Sequence, residues 1–188
     1  MLTIQFMLGL LAGVLSFIAY IPYFLSILKE KTRPNRASWW IWAIVGWIIF
    51  ASYISVGARN TIWYALPIGI SITAFLSLKY GEGGFSRFDL FCIAGAALGL
   101  LIWWYSGIAF AALLMALLVD FFAYLPTIRK TRLDPGSEDR TACALFWIGS
   151  LLNVAAIEVW SPEIALYPAY IFVLNSIVLW LLIRKKSV

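Results

Sequence analysis

Residues 120–140 read DFFAYLPTIRKTRLDPGSEDR, the end of an apolar segment with a proline and then a short basic loop. Residues 19–36, AYIPYFLSILKEKTRPNR, have the same order, and a shift of 104 positions places them on residues 123–140 without a gap. The shift superimposes Ala19 on Ala123, Tyr20 on Tyr124, Pro22 on Pro126 and Arg36 on Arg140. An internal repeat of this length constrains the architecture before any single residue is considered.

The composition of the chain is that of a membrane protein. It has 188 residues, of which 63% are hydrophobic and 12% are charged, whereas a soluble domain carries about 25% charged residues. Such a chain cannot cover its surface with polar groups, so lipid must be its solvent. It contains no histidine, which excludes histidine-based catalysis and most transition-metal sites. The N-terminal apolar segment lacks the basic region of a signal peptide, and we expect it to be retained.

Seven apolar segments are long enough to cross a bilayer, for which a helix needs about 20 residues. They cover residues 3–28, 38–57, 62–79, 89–106, 108–128, 141–160 and 164–183. This count places 13 of the 14 basic residues on one side and leaves Arg59 alone on the other. Because basic residues accumulate in cytoplasmic loops, we expect the N-terminus outside and the C-terminus in the cytoplasm, with the plasma membrane as the location.

The repeat and the span count together predict the fold class. Spans 1–3 match spans 5–7, and an odd number of helices would make two adjacent copies point in opposite directions. Span 4 therefore acts as an inversion helix that lets both copies point the same way. We predict an all-α integral membrane protein with seven transmembrane helices. Two parallel three-helix bundles, residues 1–80 and 108–188, are joined by a loop and the inversion helix at residues 81–107.

Two copies of a proline-bearing helix and a basic loop, on a 3+1+3 plan, resemble the PQ-loop superfamily, which includes the SWEET sugar transporters and the KDEL receptors. The glutamine that follows the family's proline is replaced here, because the dipeptides are Pro22-Tyr23 and Pro126-Thr127. SWEETs pair a pocket tryptophan with an asparagine in each half, and the two tryptophan positions fall near Tyr53 and Ile157 here. The resemblance therefore places Tyr53 among the substrate-binding residues. It also implies transport by alternating access.

Asp120 is the first candidate for chemistry. It lies about 18 Å along the fifth span, which is close to the middle of the membrane. An ionisable group there costs roughly 3 kcal/mol or more and is a functional candidate by default. A carboxyl group at this depth can bind and release a proton in each cycle, so Asp120 is the predicted proton-coupling residue. The alternative is a structural acid that is hydrogen-bonded or paired with a basic residue.

Polar residues at the same depth form the predicted substrate site, because repeat transporters bind near the midplane. Asn153 and Asn175 would bind a small polar solute, since an amide both donates and accepts. Their alternative role is to join helices. The first bundle offers Ser16, Trp47 and Ser71 at this level. Trp47 could stack on the solute, although packing is the more common use of tryptophan.

The two repeated prolines are the predicted hinges. Pro22 and Pro126 stand one to two turns before the cytoplasmic ends of their helices. Proline removes a backbone hydrogen bond and kinks a helix, so we expect paired hinges of an inner gate, with a static kink as the alternative. Tyr20 and Tyr124 could close that gate or simply pack.

Three hypotheses for function follow. The first is an alternating-access transporter of a small polar solute, coupled to protons through Asp120. The second is an uncoupled, SWEET-like sugar facilitator, ranked lower because the family's Trp/Asn pairs are missing. The third is a receptor or sorting protein of the same fold, which would need basic residues inside its cavity. We expect no enzymatic activity, no cofactor, no metal and no nucleic acid. The solute and the lipid bilayer are the expected partners; a monomer suffices, and a homo-oligomer is compatible.

Overall fold

The computed structural model describes residues 3–55, 62–84, 86–106 and 109–184, and within these ranges the chain is all-helical. It describes side chains there except at 48–55, 62–66, 99–100, 103, 106, 109–113 and 163. The helices are α1 (Ile4–Ile18), α2 (Tyr20–Leu28), α3 (Arg36–Ser55), α4 (Ile62–Tyr80), α5 (Arg87–Ser106), α6 (Ala109–Leu133), α7 (Arg140–Ala155) and α8 (Pro162–Ile183).

Each of the seven predicted apolar segments overlaps a helix, and the first is formed by α1 and α2 together. The helical character of these segments is therefore confirmed. The boundaries differ most at the ends of α7, which ends at Ala155 instead of near residue 160, and of α6, which ends at Leu133 instead of near residue 128. Asp134 precedes Pro135, and the residue before a proline disfavours the helical conformation. The proline therefore explains why α6 ends at Leu133. The basic residues before this end remain helical because their charges interact favourably with a helix C-terminus.

Two helices among the described residues are long and apolar enough to cross a membrane: Ile4–Leu28 and Ile164–Ile183. In the apolar stretch of each helix, only 17% and 22% of the residues are buried inside the protein. A core helix of a soluble protein would be mostly buried. Large apolar side chains such as Phe6 and Leu25 are half exposed. These two helices indicate that the protein associates with a membrane.

The repeat extends to the way in which α3 and α7 begin. Asn35 Oδ1 accepts a hydrogen bond from the backbone N–H of Ser38 at 3.1 Å. Asp139 Oδ1 accepts one from the backbone N–H of Ala142 at 2.8 Å. Such acceptors satisfy backbone donors that a helix start leaves unpaired. Both pairs are related by the same shift of 104 positions, so the two basic loops end in the same local structure.

The helices form two compact units, and these cut across the two repeats. Unit 1 consists of residues 1–32 and 131–188, and unit 2 of residues 33–130. Each unit combines the first helix of one copy with the second and third helices of the other. The prediction that residues 1–80 and 108–188 form separate bundles divides the chain differently.

Small residues explain why α1 belongs with α7 in unit 1. A Cβ atom on Gly149 of α7 would lie 2.6 Å from Ser16 Oγ and 3.2 Å from the carbonyl oxygen of Ala12. Further along the same contact, a Cβ atom on Gly9 would lie 3.7 Å from Ala156 Cβ. Small residues allow helix backbones to approach closely, which is a common device where lipid removes the hydrophobic driving force.

The core of unit 2 is built by α3, α5 and α6. Its buried residues are Ile41, Val45, Ala96, Val119 and Ala123, with Trp42 and Phe122 partly buried against them. The ring of Phe122 occupies the space over Gly95, where a Cβ atom would lie 2.6 Å from ring atoms. The predicted inversion helix α5 thus packs through its small residues.

Candidate functional site

Asp120 lies on α6 and faces α3 within unit 2. Its Oδ1 accepts a hydrogen bond from the indole Nε1–H of Trp42 at 3.0 Å. Its neighbour Val119 and, one turn later, Ala123 are fully buried in the core, whereas Asp120 is half-buried. The carboxyl group therefore lies at the edge of the buried stripe of α6 and points at a helix of its own unit.

Two further aromatic rings hold Trp42 in place. The ring of Tyr124 meets it edge to face, with centroids 4.8 Å apart and planes at 74°. The ring of Trp39 does the same from within α3, at 5.1 Å and 80°. This geometry is one that aromatic pairs favour. Asp120 and Tyr124 are four residues apart and share a helix face, so one ring of α3 contacts both.

The donor that faces Asp120 is neutral. An indole N–H is only a donor and stays neutral. A carboxyl group is either an anion that only accepts hydrogen bonds or a neutral acid. The bond from Trp42 is stronger when Asp120 is ionised. The bond from Trp42 therefore does not itself neutralise a charged carboxylate.

Trp47 and Ser71 also belong to unit 2, and the structure brings them together. Trp47 Nε1–H donates to Ser71 Oγ at 2.8 Å, joining α3 to α4. The side chain of Trp47 is 46% exposed, so part of its ring remains available for contact with another molecule. Tyr53 belongs to α3, but its side chain lies outside the described residues.

Ser16, Asn153 and Asn175 lie in unit 1 on α1, α7 and α8. All three are half-buried. Asn175 Nδ2–H donates to the carbonyl oxygen of Phe146 at 3.4 Å, a long contact for a hydrogen bond. The sequence placed Asp120 with both asparagines in one bundle. In the structure, Asp120 belongs to unit 2, whereas both asparagines belong to unit 1.

The two predicted hinges have different local structures. The helix is interrupted at Ala19, between α1 and α2, one turn before Pro22. Pro22 has no N–H to donate to the carbonyl four residues earlier, and the next backbone bond, from Tyr23 N to Ala19 O, is long at 3.4 Å. By contrast, α6 is continuous through Pro126, which is buried. The prediction of paired hinges at Pro22 and Pro126 stays a prediction.

The gate tyrosines each pack on an aromatic ring of the same unit. Tyr20 is buried and meets Phe146 edge to face at 5.2 Å. Tyr124 is half-buried and meets Trp42 in the same way. Both rings therefore make aromatic contacts within their own unit, and their role as a gate stays a prediction.

Tyr23 and Thr127, which follow the two repeated prolines, were not among the predicted site residues. Tyr23 O–H donates to Glu138 Oε2 at 2.7 Å, and both side chains are buried. Thr127 Oγ1–H donates to Ser38 Oγ at 2.8 Å, and both of these are buried as well. The first bond joins α2 to the segment just before α7, and the second joins α6 to the start of α3. The repeat register was the available signal, since Tyr23 and Thr127 are 104 positions apart.

Trp42 was missed as well. Its signal was chemical: an indole N–H in an apolar helix must find an acceptor, and a mid-helix acid is the strongest acceptor on offer. The pair is 78 residues apart in sequence, however, and nothing in the spacing pointed to this tryptophan among the ten in the chain.

Comparisons of the chain with protein-family models, curated proteins and solved structures found no match. The resemblance to the PQ-loop superfamily therefore stays an expectation drawn from the repeat and the basic loops. Within the described residues, no group of three or more acidic, cysteine or histidine side chains could hold a metal ion.

Proposed function

We propose that the protein is a membrane transporter that moves a small polar solute by alternating access and couples this movement to protons through Asp120. The observation that carries the proposal is the carboxyl group of Asp120, half-buried within the apolar helix α6 and held by the neutral donor Trp42. An ionisable group inside a membrane is costly, so its presence there marks a candidate functional residue by default.

The proposal includes seven membrane spans. The helices α3, α4 and α5 contain 20, 19 and 20 residues and α6 contains 25. At a rise of 1.5 Å per residue, 20 residues extend about 30 Å, which matches the thickness of the hydrocarbon core. Together with the two apolar helices described above, these lengths support seven spans. The distribution of the basic residues supports an N-terminus outside, a C-terminus in the cytoplasm and a plasma-membrane location.

Alternating access needs bodies that can move as wholes. The division of the chain into two compact units, each with one of the two repeated prolines, supports this mechanism. The interruption of the first span at Ala19 gives unit 1 a place where backbone bending costs little, because a backbone hydrogen bond is already missing there. Pro22 and Pro126 remain the proposed hinges, and Tyr20 and Tyr124 the proposed gate.

The proposed solute is small and polar. Within unit 1, Asn153 and Asn175 offer amides; taken by itself, unit 2 offers the hydroxyl of Ser71 and the exposed ring of Trp47. Amides and hydroxyls suit a ligand that carries hydroxyl, amide or carboxyl groups, and an aromatic face suits a ring. The resemblance to SWEETs, which move sugars, agrees with this class.

Uptake into proteoliposomes tests the proposal. We would screen radiolabelled sugars, amino acids and vitamins with and without an inward proton gradient. The expected result is gradient-stimulated uptake of one class, and an Asp120→Asn variant that retains only equilibrative uptake. Asp134→Asn is the matched control, because Asp134 lies in an exposed loop and should transport like the wild type. If Asp120→Asn keeps full gradient stimulation, coupling through Asp120 is wrong.

One observation favours uncoupled facilitation as the second candidate. The bond from Trp42 satisfies one oxygen of Asp120, as a purely structural acid would require. This function predicts equilibrative uptake that is indifferent to the proton gradient in the wild type itself. The same uptake experiment therefore separates the two candidates before any variant is made.

A further inference from the structure

Each of the two units contains a pair of aromatic rings at matching positions of the repeat. A shift of 104 positions relates Tyr20 to Tyr124 and Trp42 to Phe146. In unit 2 the rings of Tyr124 and Trp42 meet at 4.8 Å and 74°. In unit 1 the rings of Tyr20 and Phe146 meet at 5.2 Å and 81°. A phenyl ring therefore suffices for this edge-to-face contact in unit 1. The contact does not account for the indole N–H that Trp42 adds in unit 2.

The difference between the units is chemical, and two positions differ together. Unit 2 has the carboxyl group of Asp120 at 3.0 Å from the indole nitrogen of Trp42. Unit 1 has a hydroxyl group, on Ser16, and the hydrocarbon ring of Phe146 at the matching positions. A buried N–H needs an acceptor and a phenyl ring needs none. The indole N–H thus accompanies the acid.

We propose that Trp42 is the positioning residue of Asp120: its indole N–H holds the ionised carboxylate against α3 and holds it less tightly once the carboxylate is protonated. The inference rests on the proposed function of Asp120. A hydrogen bond to an ionised acceptor is about twice as strong as one to a neutral acceptor. Proton uptake by α6 therefore weakens its bond to α3.

The step itself is simple. The carboxylate of Asp120 takes one proton from the aqueous phase and becomes a neutral carboxyl group. Trp42 keeps its N–H proton throughout, because an indole N–H is a donor only. The edge-to-face contact between Trp42 and Tyr124 involves no charge and stays available in both states. Protonation thus changes one contact between α3 and α6 and leaves the aromatic contact that surrounds it.

Trp42→Phe tests the inference, because phenylalanine occupies the matching position in unit 1 and preserves an aromatic partner for Tyr124. The full chain in detergent, labelled with 13C at aspartate carboxyl groups, gives an infrared carboxylate band of Asp120 that is assigned by its loss in Asp120→Asn. We expect Trp42→Phe to shift this band. Trp147→Phe is the matched control: it removes an indole N–H that donates to Ser176 Oγ at 2.8 Å in unit 1, and the band should stay in place.

An unchanged Asp120 band in Trp42→Phe, or an equal shift in both variants, would overturn the inference. Should Trp42→Phe fail to fold, the comparison of the wild type with Asp120→Asn decides by the 15N–1H resonances of the indole groups. One indole resonance should move on loss of the charge, and the resonance lost in Trp147→Phe should not. If no indole resonance moves, Trp42 does not sense the carboxyl group and the inference is wrong.

A transport measurement separates this inference from the proposed function. With a solute identified by the uptake screen, Trp42→Phe should keep equilibrative uptake and lose most of the stimulation by the proton gradient. The spectroscopic result needs no solute. If the band shifts but no solute is transported, the positioning role stands and the proposed function fails. If uptake by Trp42→Phe keeps its full stimulation and the band does not move, the proposed function stands and the positioning role fails.

Discussion

At the scale of the residue, the unusual feature of this chain is that two polar groups in apolar helices satisfy each other. The carboxyl group of Asp120 and the indole N–H of Trp42 would each be costly alone. Their counterparts in unit 1, Ser16 and Phe146, avoid this cost, since a hydroxyl can bond within its own helix and a phenyl ring has nothing to satisfy. Unit 1 therefore serves as an internal reference for what Asp120 and Trp42 add in unit 2.

This comparison gives a prediction for stability. Asp120→Ser removes the acceptor of the Trp42 indole, and the orphaned N–H should destabilise the protein by about 1–3 kcal/mol beyond the loss of the acid. Adding Trp42→Phe removes the orphan and recreates the residue pair of unit 1. A double-mutant cycle measured by thermal unfolding in detergent should therefore give a coupling energy in this range. Additive effects of the two substitutions would mean that the hydrogen bond contributes nothing to stability.

At the scale of the element, α2 is a short helix between two backbone irregularities. It begins after the interruption at Ala19 and ends in a Schellman motif, in which Lys31 N–H donates to the Ser26 carbonyl and Glu30 N–H to that of Ile27, both at 2.9 Å. Glu30 has φ of 56°, a left-handed conformation at which glycine is usual. The bond from Tyr23 to Glu138 fixes α2 between these two points.

The end of α2 gives the prediction at this scale. A side chain in the left-handed region is strained by roughly 1–2 kcal/mol, so Glu30→Gly should stabilise the protein by up to about 1 kcal/mol once the greater freedom of glycine in the unfolded chain is subtracted. Lys29→Gly is the control, because its φ of −86° suits any residue and the change should destabilise slightly. Thermal unfolding in detergent measures both. Equal losses at the two positions would contradict the strain at Glu30.

At the scale of the whole molecule, the sequence predicted the helices and not their partners. The helices could be predicted because the length and hydropathy of an apolar segment depend only on its own residues. The basic loops could be predicted because they recur at one fixed shift. The partner of α1 depends on a close contact between Gly149 and Ser16, and the partner of Asp120 lies 78 residues away. Such contacts are decided by shape and hydrogen bonding between distant segments, which a hydropathy pattern does not record.

Splitting the chain tests how the units are composed. Fragments 1–107 and 108–188 each lack part of unit 1, so we expect them to copurify when they are expressed together. Gly149→Ala places a Cβ atom 2.6 Å from Ser16 Oγ and 3.2 Å from a backbone oxygen, and overpacking costs about 1–3 kcal/mol. Copurification should fall several-fold and recover in part when the other fragment carries Ser16→Ala. Gly136→Ala, in an exposed loop, should have no effect. Had the chain folded as two contiguous bundles, α1 and α7 would lie apart, and Ser16→Ala could not rescue a change at Gly149 in a separate fragment.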